Sequence, residues 1–259
     1  MALSLSDAEI EGYIIGIDID AAESQVQNNA QFNNVRVLYA GALDRQDAYG
    51  IKVKNISQIG ADDTEIDGFA YGMWIDNQAL ATTANALLTN IRVRNSASAS
   101  RTEDYGIKIM SNMNLDISNV EIDDYSTGLA LISGSDSGAI TRNSALLTNI
   151  RVRNSSSSSR SAAHGIKLDN PGNITADDFE IEGYPFGLHI DNQNLAGTSN
   201  ALLTNIRVRN SASASRTDDF GIKIGPNLSL ELDGGMIDGF GTALEVTGKS
   251  PMLRHAAVS

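Results

Sequence analysis

The amino-acid sequence predicts an all-β fold, a parallel β-helix (a solenoid) of about nine coils with roughly 28 residues and three strands in each. Three observations support this prediction. The decapeptide LLTNIRVRNS occurs without change at residues 87–96, 146–155 and 202–211. Residues that tolerate a positive φ recur every 27 to 30 positions. Short runs of alternating apolar and polar residues recur with the same period, and such runs are typical of strands.

The recurring column consists entirely of Asn, Asp and Gly. These residues enter the left-handed αL region more readily than others, so we expect one bend at this position in every coil. The predicted bends are Asp7, Asn34, Asp63, Asn90, Asn119, Asn149, Asp178, Asn205 and Gly234.

Three apolar-alternating runs follow one order in each unit, as in residues 115–117, 120–122 and 129–131. None has room for a helix. Stacking of equivalent strands at about 4.8 Å per coil predicts a rod about 43 Å long. We assign residues 1–247 to a single domain and residues 248–259 to a C-terminal tail that is available to cap the last coil.

Two outward columns of charge predict how the coils keep their register. Two residues after the bends, acid and base alternate from coil to coil, as in Glu121, Arg151 and Glu180. The same alternation appears two residues further along, as in Asp123 and Arg153. Equivalent side chains on stacked coils lie about 4.8 Å apart, so alternation replaces repulsion with ion pairs. We interpret the repeated decapeptide as the basic half of a two-coil repeat.

A column of rings precedes the third strand of each coil. Six of its nine members carry an aromatic or imidazole ring, which predicts a side-chain stack along the rod. The column contains Ile15, Tyr49, Tyr71, Tyr105, Thr127, His164, Phe186, Phe220 and Thr242.

The coils, the Asn-rich bends and the stacked rings resemble the right-handed parallel β-helix of the pectate-lyase-like superfamily over essentially residues 3–246. The resemblance is to a fold that hosts lyases, hydrolases, epimerases, phage tailspikes and adhesins, and it implies contact with polysaccharides. The sequence has no Asp-Pro-His run like that of mannuronan epimerases. It also lacks the Asn-Thr-Asp and Gly-His-Gly pair of polygalacturonases.

The composition narrows the classes of partner and location. The net charge of −13 disfavours a nucleic-acid partner, because phosphate backbones are repelled. No segment approaches the roughly 18 apolar residues of a membrane span. The N-terminal residues do not resemble a signal peptide. The acidic, cysteine-free, Ser/Asn/Gly-rich composition favours an extracellular or cell-surface location.

The outward column of the third strands is the candidate functional face, because it collects lysines, a histidine and the single Trp of the chain. Aromatic rings stack on sugars and lysines pair with carboxylates, so this column predicts a groove for an acidic glycan. The alternative is that the lysines are simply solvated. The column contains Asp18, Lys52, Trp74, Lys108, Ala130, Lys167, His189, Lys223 and Glu245.

Within this face we predict a catalytic group of His164, Lys167 and His189, because imidazole beside an ammonium group suits proton abstraction next to a carboxylate. The loop at residues 154–164 lacks the acids that precede the ring in the equivalent loops at residues 40–49, 95–105 and 210–220. The three residues of the catalytic group, together with Arg160, are therefore predicted to be the least neutralised cluster. The alternative is that His164 merely occupies a ring position. The predicted substrate-binding residues are Trp74, Lys108, Arg160 and Lys223.

No cofactor is expected. The tetrapeptide Ile-Asp-Asn-Gln at residues 75–78 and 190–193 is a weak candidate for binding Ca²⁺ through oxygen ligands. Three histidines without close spacing and no cysteine argue against zinc.

Two functions therefore stay open. The first is a carbohydrate-related protein that binds or processes an acidic polysaccharide as a lyase, an epimerase or a glycoside hydrolase. The second is a non-catalytic rod, such as an adhesin shaft or a tailspike-like segment. An uncovered terminal coil exposes unpaired backbone groups, so we also expect either self-association through the coil ends or an additional upstream domain.

Overall fold

A computed structural model describes residues 2–21, 28–40, 47–78, 80, 83–96, 103–110, 113–133, 143–155, 163–192, 198–210 and 218–247, and the backbone of residues 252–258. These residues contain nineteen β-strands and no α-helix. The strands form two sheets, one with ten strands and one with nine. The predicted all-β parallel β-helix of about nine coils is confirmed.

The ten-stranded sheet collects the long strands, mostly of 10 or 11 residues, followed by a shorter last strand. In spatial order they are β1 (Ala2–Glu11), β3 (Asn29–Leu38), β5 (Gln58–Asp67), β7 (Ala84–Arg94), β9 (Met113–Asp123), β11 (Ser144–Arg153), β13 (Ile174–Glu182), β15 (Ser199–Arg209), β17 (Leu228–Asp238) and β19 (Met252–Val258).

The nine-stranded sheet collects the short strands, of five or six residues each. In spatial order they are β2 (Ile15–Asp20), β4 (Tyr49–Lys54), β6 (Tyr71–Asp76), β8 (Tyr105–Met110), β10 (Thr127–Ile132), β12 (His164–Asp169), β14 (Phe186–Asp191), β16 (Phe220–Ile224) and β18 (Thr242–Val246).

Each coil contributes one long and one short strand, and neighbouring strands of each sheet are parallel. The predicted bends all have positive φ, from 49° at Asp63 to 71° at Gly234. Each bend lies inside a long strand, where the pairing of β1 with β3 skips only Asp7 and Asn34. The first two predicted strands of a coil are therefore the two halves of one long strand. A single αL residue turns the chain without ending the hydrogen-bonded ladder.

Side-chain amides connect the bends from coil to coil. Asn34 Nδ2 donates to Asp7 Oδ1 at 2.8 Å, and Asn149 Nδ2 donates to Asn119 Oδ1 at 2.8 Å. Asn119 Nδ2 in turn donates to an Oδ1 of the preceding coil at 3.2 Å. Asn suits this position for two reasons. It tolerates the αL conformation, and its side-chain amide both donates and accepts hydrogen bonds.

The core lies between the two sheets and consists mainly of Ile, Val and Leu side chains. A column of glycines directly after the ring positions lets the sheets approach closely. A Cβ added at Gly106 would overlap the side chain of Ile122 and the carbonyl oxygen of Gly128. This column was not among the predictions, although the sequence contains it as a Gly after the ring position in eight coils: Gly16, Gly50, Gly72, Gly106, Gly128, Gly165, Gly187 and Gly221.

The backbone of the predicted C-terminal tail contains β19, which pairs in parallel with β17. The pairing places Leu253 beside Leu232 and Ala256 beside Gly235. The tail therefore adds a tenth strand to the sheet of long strands.

Candidate functional site

The outward column of the short strands has the register that the sequence predicts. Backbone pairing places Trp74 between Lys52 and Lys108. It also places His189 directly beside Lys167. The nine-stranded sheet thus brings the predicted rings and lysines to one face, which we call the ring–lysine face: the ring column and the outward column of β2 to β18.

The first half of this face carries a stack of three tyrosines. The ring centroids of Tyr49 and Tyr71 are 4.7 Å apart, and those of Tyr71 and Tyr105 are 5.7 Å apart. Trp74 stacks on Tyr49 from the neighbouring column, with centroids 5.1 Å apart. Burial, followed by nearby acidic or phenolic groups, raises the pKa of each of these tyrosines. The phenols therefore stay neutral over the physiological range.

The second half carries a matching stack. The ring centroids of His164 and Phe186 are 4.9 Å apart, and those of Phe186 and Phe220 are 5.9 Å apart. His189 stacks on His164 at 5.5 Å with an interplanar angle of 14°. The structure therefore brings the predicted catalytic pair His164 and His189 into direct contact.

The central coil interrupts the face. Its members of the two columns are Thr127 and Ala130, and their exposed fractions are 7% and 0%. The corresponding residues of the neighbouring strands, Tyr105 and His164, are half-buried. The rings consequently form two separate groups rather than one continuous stripe.

Lysine ammonium groups lie over the faces of some of these rings. Lys108 Nζ lies 4.5 Å from the ring centroid of Tyr105, and Lys223 Nζ lies 4.5 Å from that of Phe220. Such cation–π contacts are worth about 0.5–1 kcal/mol at exposed sites. Five of the six lysines of the chain lie on the short strands: Lys52, Lys54, Lys108, Lys167 and Lys223.

Three of these lysines have carboxylate partners. Lys167 Nζ lies 2.8 Å from Asp169 Oδ2, a carboxylate two residues further along the same strand. Asp169 belongs to a different outward column, so the predicted column did not include it. The two ends of the predicted column supply the other partners, in the pairs Lys52–Asp18 at 3.4 Å and Lys223–Glu245 at 3.3 Å.

The charge state of His189 follows from its surroundings. Burial is the largest influence and lowers its pKa, and the charges of Lys167 and Lys223 act in the same direction. Asp169 and Asp191 oppose this shift without reversing it. Its Nδ1 is buried and has no hydrogen-bond partner. The imidazole is therefore neutral near pH 7.

The other predicted site residues divide between the two halves. Lys167 lies with the histidines, and Lys223 lies on the adjoining strand beside His189. Trp74 and Lys108 lie together in the first half. Burial lowers the pKa of Lys108, and the charge of Lys167 contributes to this shift. Arg160 lies outside the described residues. The catalytic and substrate-binding roles of all these residues stay predictions.

The first of the two tetrapeptides considered for Ca²⁺, at residues 75–78, has structural contacts. The Asn77 side chain is buried, accepts from the backbone nitrogen of Ile56 and donates to its carbonyl oxygen, both at 2.9 Å. Asp76 Oδ1 accepts a hydrogen bond from the backbone nitrogen of Gln78 at 3.2 Å. Among the described residues, no group of three or more His, Cys, Asp or Glu is arranged to hold a metal ion.

A groove that the sequence analysis did not identify lies on the ten-stranded sheet, with a volume of about 600 Å³. Its walls include Gln58, Asn85 and Asn114. Leu87 and Leu146 also line it, and 53% and 45% of these two residues are exposed. Both are the first residue of the repeated decapeptide. The sequence contains a signal for this groove, because an apolar Leu stands at an outward position of the strand where the alternating pattern predicts a polar residue.

Comparison of the chain with models of protein families, with curated proteins and with solved structures finds no match. Within the described part of the chain, no helix has the length and apolar character needed to cross a membrane. The pectate-lyase-like assignment stays an expectation that follows from the fold.

Proposed function

We propose that this protein binds an acidic polysaccharide along the ring–lysine face, with the rings as an apolar surface and the lysines as partners for carboxylates. The observation that supports the proposal best is the in-register placement of ring stacks and lysines on one face of an otherwise acidic rod. The faces of these rings pack on one another within each stack, so the half-buried rings offer their apolar edges to a sugar. Neighbouring ammonium groups favour anionic sugars.

The indole N–H of Trp74 can exchange its present hydrogen-bond acceptor for one on a ligand. Its indole Nε1 donates to Met110 Sδ at 3.3 Å, and a thioether is a weak acceptor. A sugar hydroxyl that replaced the sulfur would be the stronger acceptor. Binding therefore gains a hydrogen bond here without breaking a strong one.

The ion pairs of the lysines do not prevent ligand binding. The side chains of Lys167 and Asp169 are 31% and 24% exposed, so water screens their attraction. A partly exposed pair of this kind contributes on the order of 1 kcal/mol. A carboxylate of the ligand can therefore replace that of Asp169 at little cost.

A catalytic role would use His189 as the base. Its neutral imidazole has the required form, but Nδ1 is buried, so only Nε2 is left to accept a proton from a substrate. Lys167 lies beside it in register and would stabilise a developing anion. The proposed binding does not depend on this step.

The test is a glycan panel with alginate, pectate and carboxyl-reduced pectate, measured by calorimetry and by an assay for ultraviolet-absorbing lyase products. Wild type should bind the charged polymers and bind the reduced one at least about tenfold more weakly, a difference of about 1.4 kcal/mol. Trp74→Ala combined with His189→Ala should weaken binding, whereas Leu146→Ala on the other sheet should not. Absence of binding to every glycan, or unchanged binding in the ring variant, would refute the proposal.

The second candidate function is a non-catalytic rod, which the ion-pair ladder of the ten-stranded sheet favours. Arg36 contacts carboxylates on both neighbouring coils, Glu9 at 3.4 Å and Glu65 at 3.1 Å. Arg151 contacts Glu180 at 2.8 Å in the same column. The charged side chains of the ten-stranded sheet pair with one another between coils, so few of them are left to bind a charged ligand. A negative glycan panel together with a stable rod in solution scattering would support this alternative.

A further inference from the structure

The two halves of the ring–lysine face are related by one constant separation in the sequence. Each ring of the first stack has its counterpart 115 residues later in the second stack. The equivalent pairs are Tyr49 and His164, Tyr71 and Phe186, and Tyr105 and Phe220.

The outward column has the same relation. Lys52 corresponds to Lys167, Trp74 to His189 and Lys108 to Lys223, again 115 residues apart. In each half, one ring thus lies between two lysines on consecutive strands. The separation of 115 residues equals four coils, so both halves present the same side of the rod.

The geometry of the two halves agrees closely. The centroid distances along the stacks are 4.7 and 5.7 Å in the first half and 4.9 and 5.9 Å in the second. The outward ring stacks on the first ring of its own half, at 5.1 Å for Trp74 and 5.5 Å for His189. The last lysine lies 4.5 Å from the last ring in both halves.

The halves are not continuous, because the coil between them carries the buried Thr127 and Ala130 instead of rings. A ligand that stacks on rings cannot continue across this coil. The separation between equivalent points is four coils, or about 19 Å at about 4.8 Å per coil.

We propose that the protein has two separate, equivalent binding sites for acidic sugars. The first ring site consists of Tyr49, Tyr71, Tyr105 and Trp74 with Lys52 and Lys108, and the second consists of His164, Phe186, Phe220 and His189 with Lys167 and Lys223. This inference rests on the proposed function and adds a complete site to the one predicted around His189. A long polymer engages both sites at once, so its affinity exceeds that of a fragment that fills one site.

The experiment is calorimetry of the intact protein with a short polyuronate fragment of about four sugars and with the parent polymer. Wild type should bind two fragments per chain. Tyr71→Ala with Trp74→Ala should bind one, and Phe186→Ala with His189→Ala should also bind one. Each variant should lose about tenfold or more in affinity for the polymer, because the second engagement is lost. Leu146→Ala serves as the control and should still bind two fragments.

A second set of variants separates binding from folding. Phe186→Tyr and His189→Trp place two of the four rings of the first site, those of Tyr71 and Trp74, at the equivalent positions of the second, so two fragments should still bind. If the wild-type chain binds one fragment, and only one of the two double variants abolishes this binding, the proposal of two sites is wrong but the proposed function is not. Binding of no fragment and no polymer would overturn the proposed function itself. Thermal unfolding of every variant is measured to distinguish loss of a binding site from loss of the folded structure.

Discussion

Reversal of one charge in the ladder tests whether the columns act as the structure shows. In Arg151→Glu a third carboxylate would stand between Glu121 and Glu180 on adjacent coils. The change removes the hydrogen-bonded ion pair between Arg151 Nε and Glu180 Oε2, at 2.8 Å. Burial tends to raise the pKa of Glu180, but the hydrogen bond and charge of Arg151 outweigh it and, with other arginines, lower that pKa.

The magnitude follows from screened electrostatics. The lost pair is about half-exposed on the Arg151 side and contributes about 0.2–1 kcal/mol. Two new carboxylate contacts at about 5 Å cost about 0.8 kcal/mol each in a dielectric constant near 80. The free energy of unfolding should therefore fall by about 2 kcal/mol at low ionic strength. For a chain of this size, that lowers Tm by about 4–8 °C.

The assay is thermal unfolding by circular dichroism at low salt and again at about 1 M salt, where the Debye length falls to about 3 Å. Arg151→Gln is the matched control, since it removes the pair without adding a repelling charge. High salt should bring the Glu variant close to the Gln variant. Equal Tm values for the Glu and Gln variants at low salt would refute the ladder.

Three further predictions concern other columns. Gly106→Ala should lower the free energy of unfolding by about 1–3 kcal/mol in denaturant titration, because its Cβ would overlap Ile122, and a wild-type midpoint would contradict the close approach of the sheets. Asn119→Ala should lower the free energy of unfolding by about 1–3 kcal/mol in the same titration, because Ala is strained at a φ of 55° and the two amide hydrogen bonds are lost. Asn119→Gly loses the same hydrogen bonds but tolerates this φ, so it should lower the free energy of unfolding by less. Because burial lowers the pKa of His189 below its unfolded value, its contribution to stability is complete above about pH 6.5 and is lost as pH falls further. His189→Trp should therefore lose less stability than wild type between about pH 8 and pH 5, and identical pH profiles would contradict this assignment.

Much of this architecture could be predicted because each coil contacts its neighbours in a one-dimensional array. Asn34 and Asn119 were identified as αL bends since few other residues tolerate a positive φ. Once the bends were aligned, the pairing of Arg151 with Glu180 and of Lys167 with His189 followed from counting residues. The period of the sequence therefore determines the register of the strands along the rod.

The sequence by itself determined which residues share a column, and only the tertiary structure decided what lies beside each column. Lys167 reaches sideways to Asp169 rather than up or down the rod, and that contact depends on side-chain length and packing. The burial of Ala130, which divides the ring–lysine face, is likewise not contained in a repeat period. The period specifies neighbours along one direction only. Contacts across the coil arise when the two sheets pack, and they determine which charges and rings a ligand can meet.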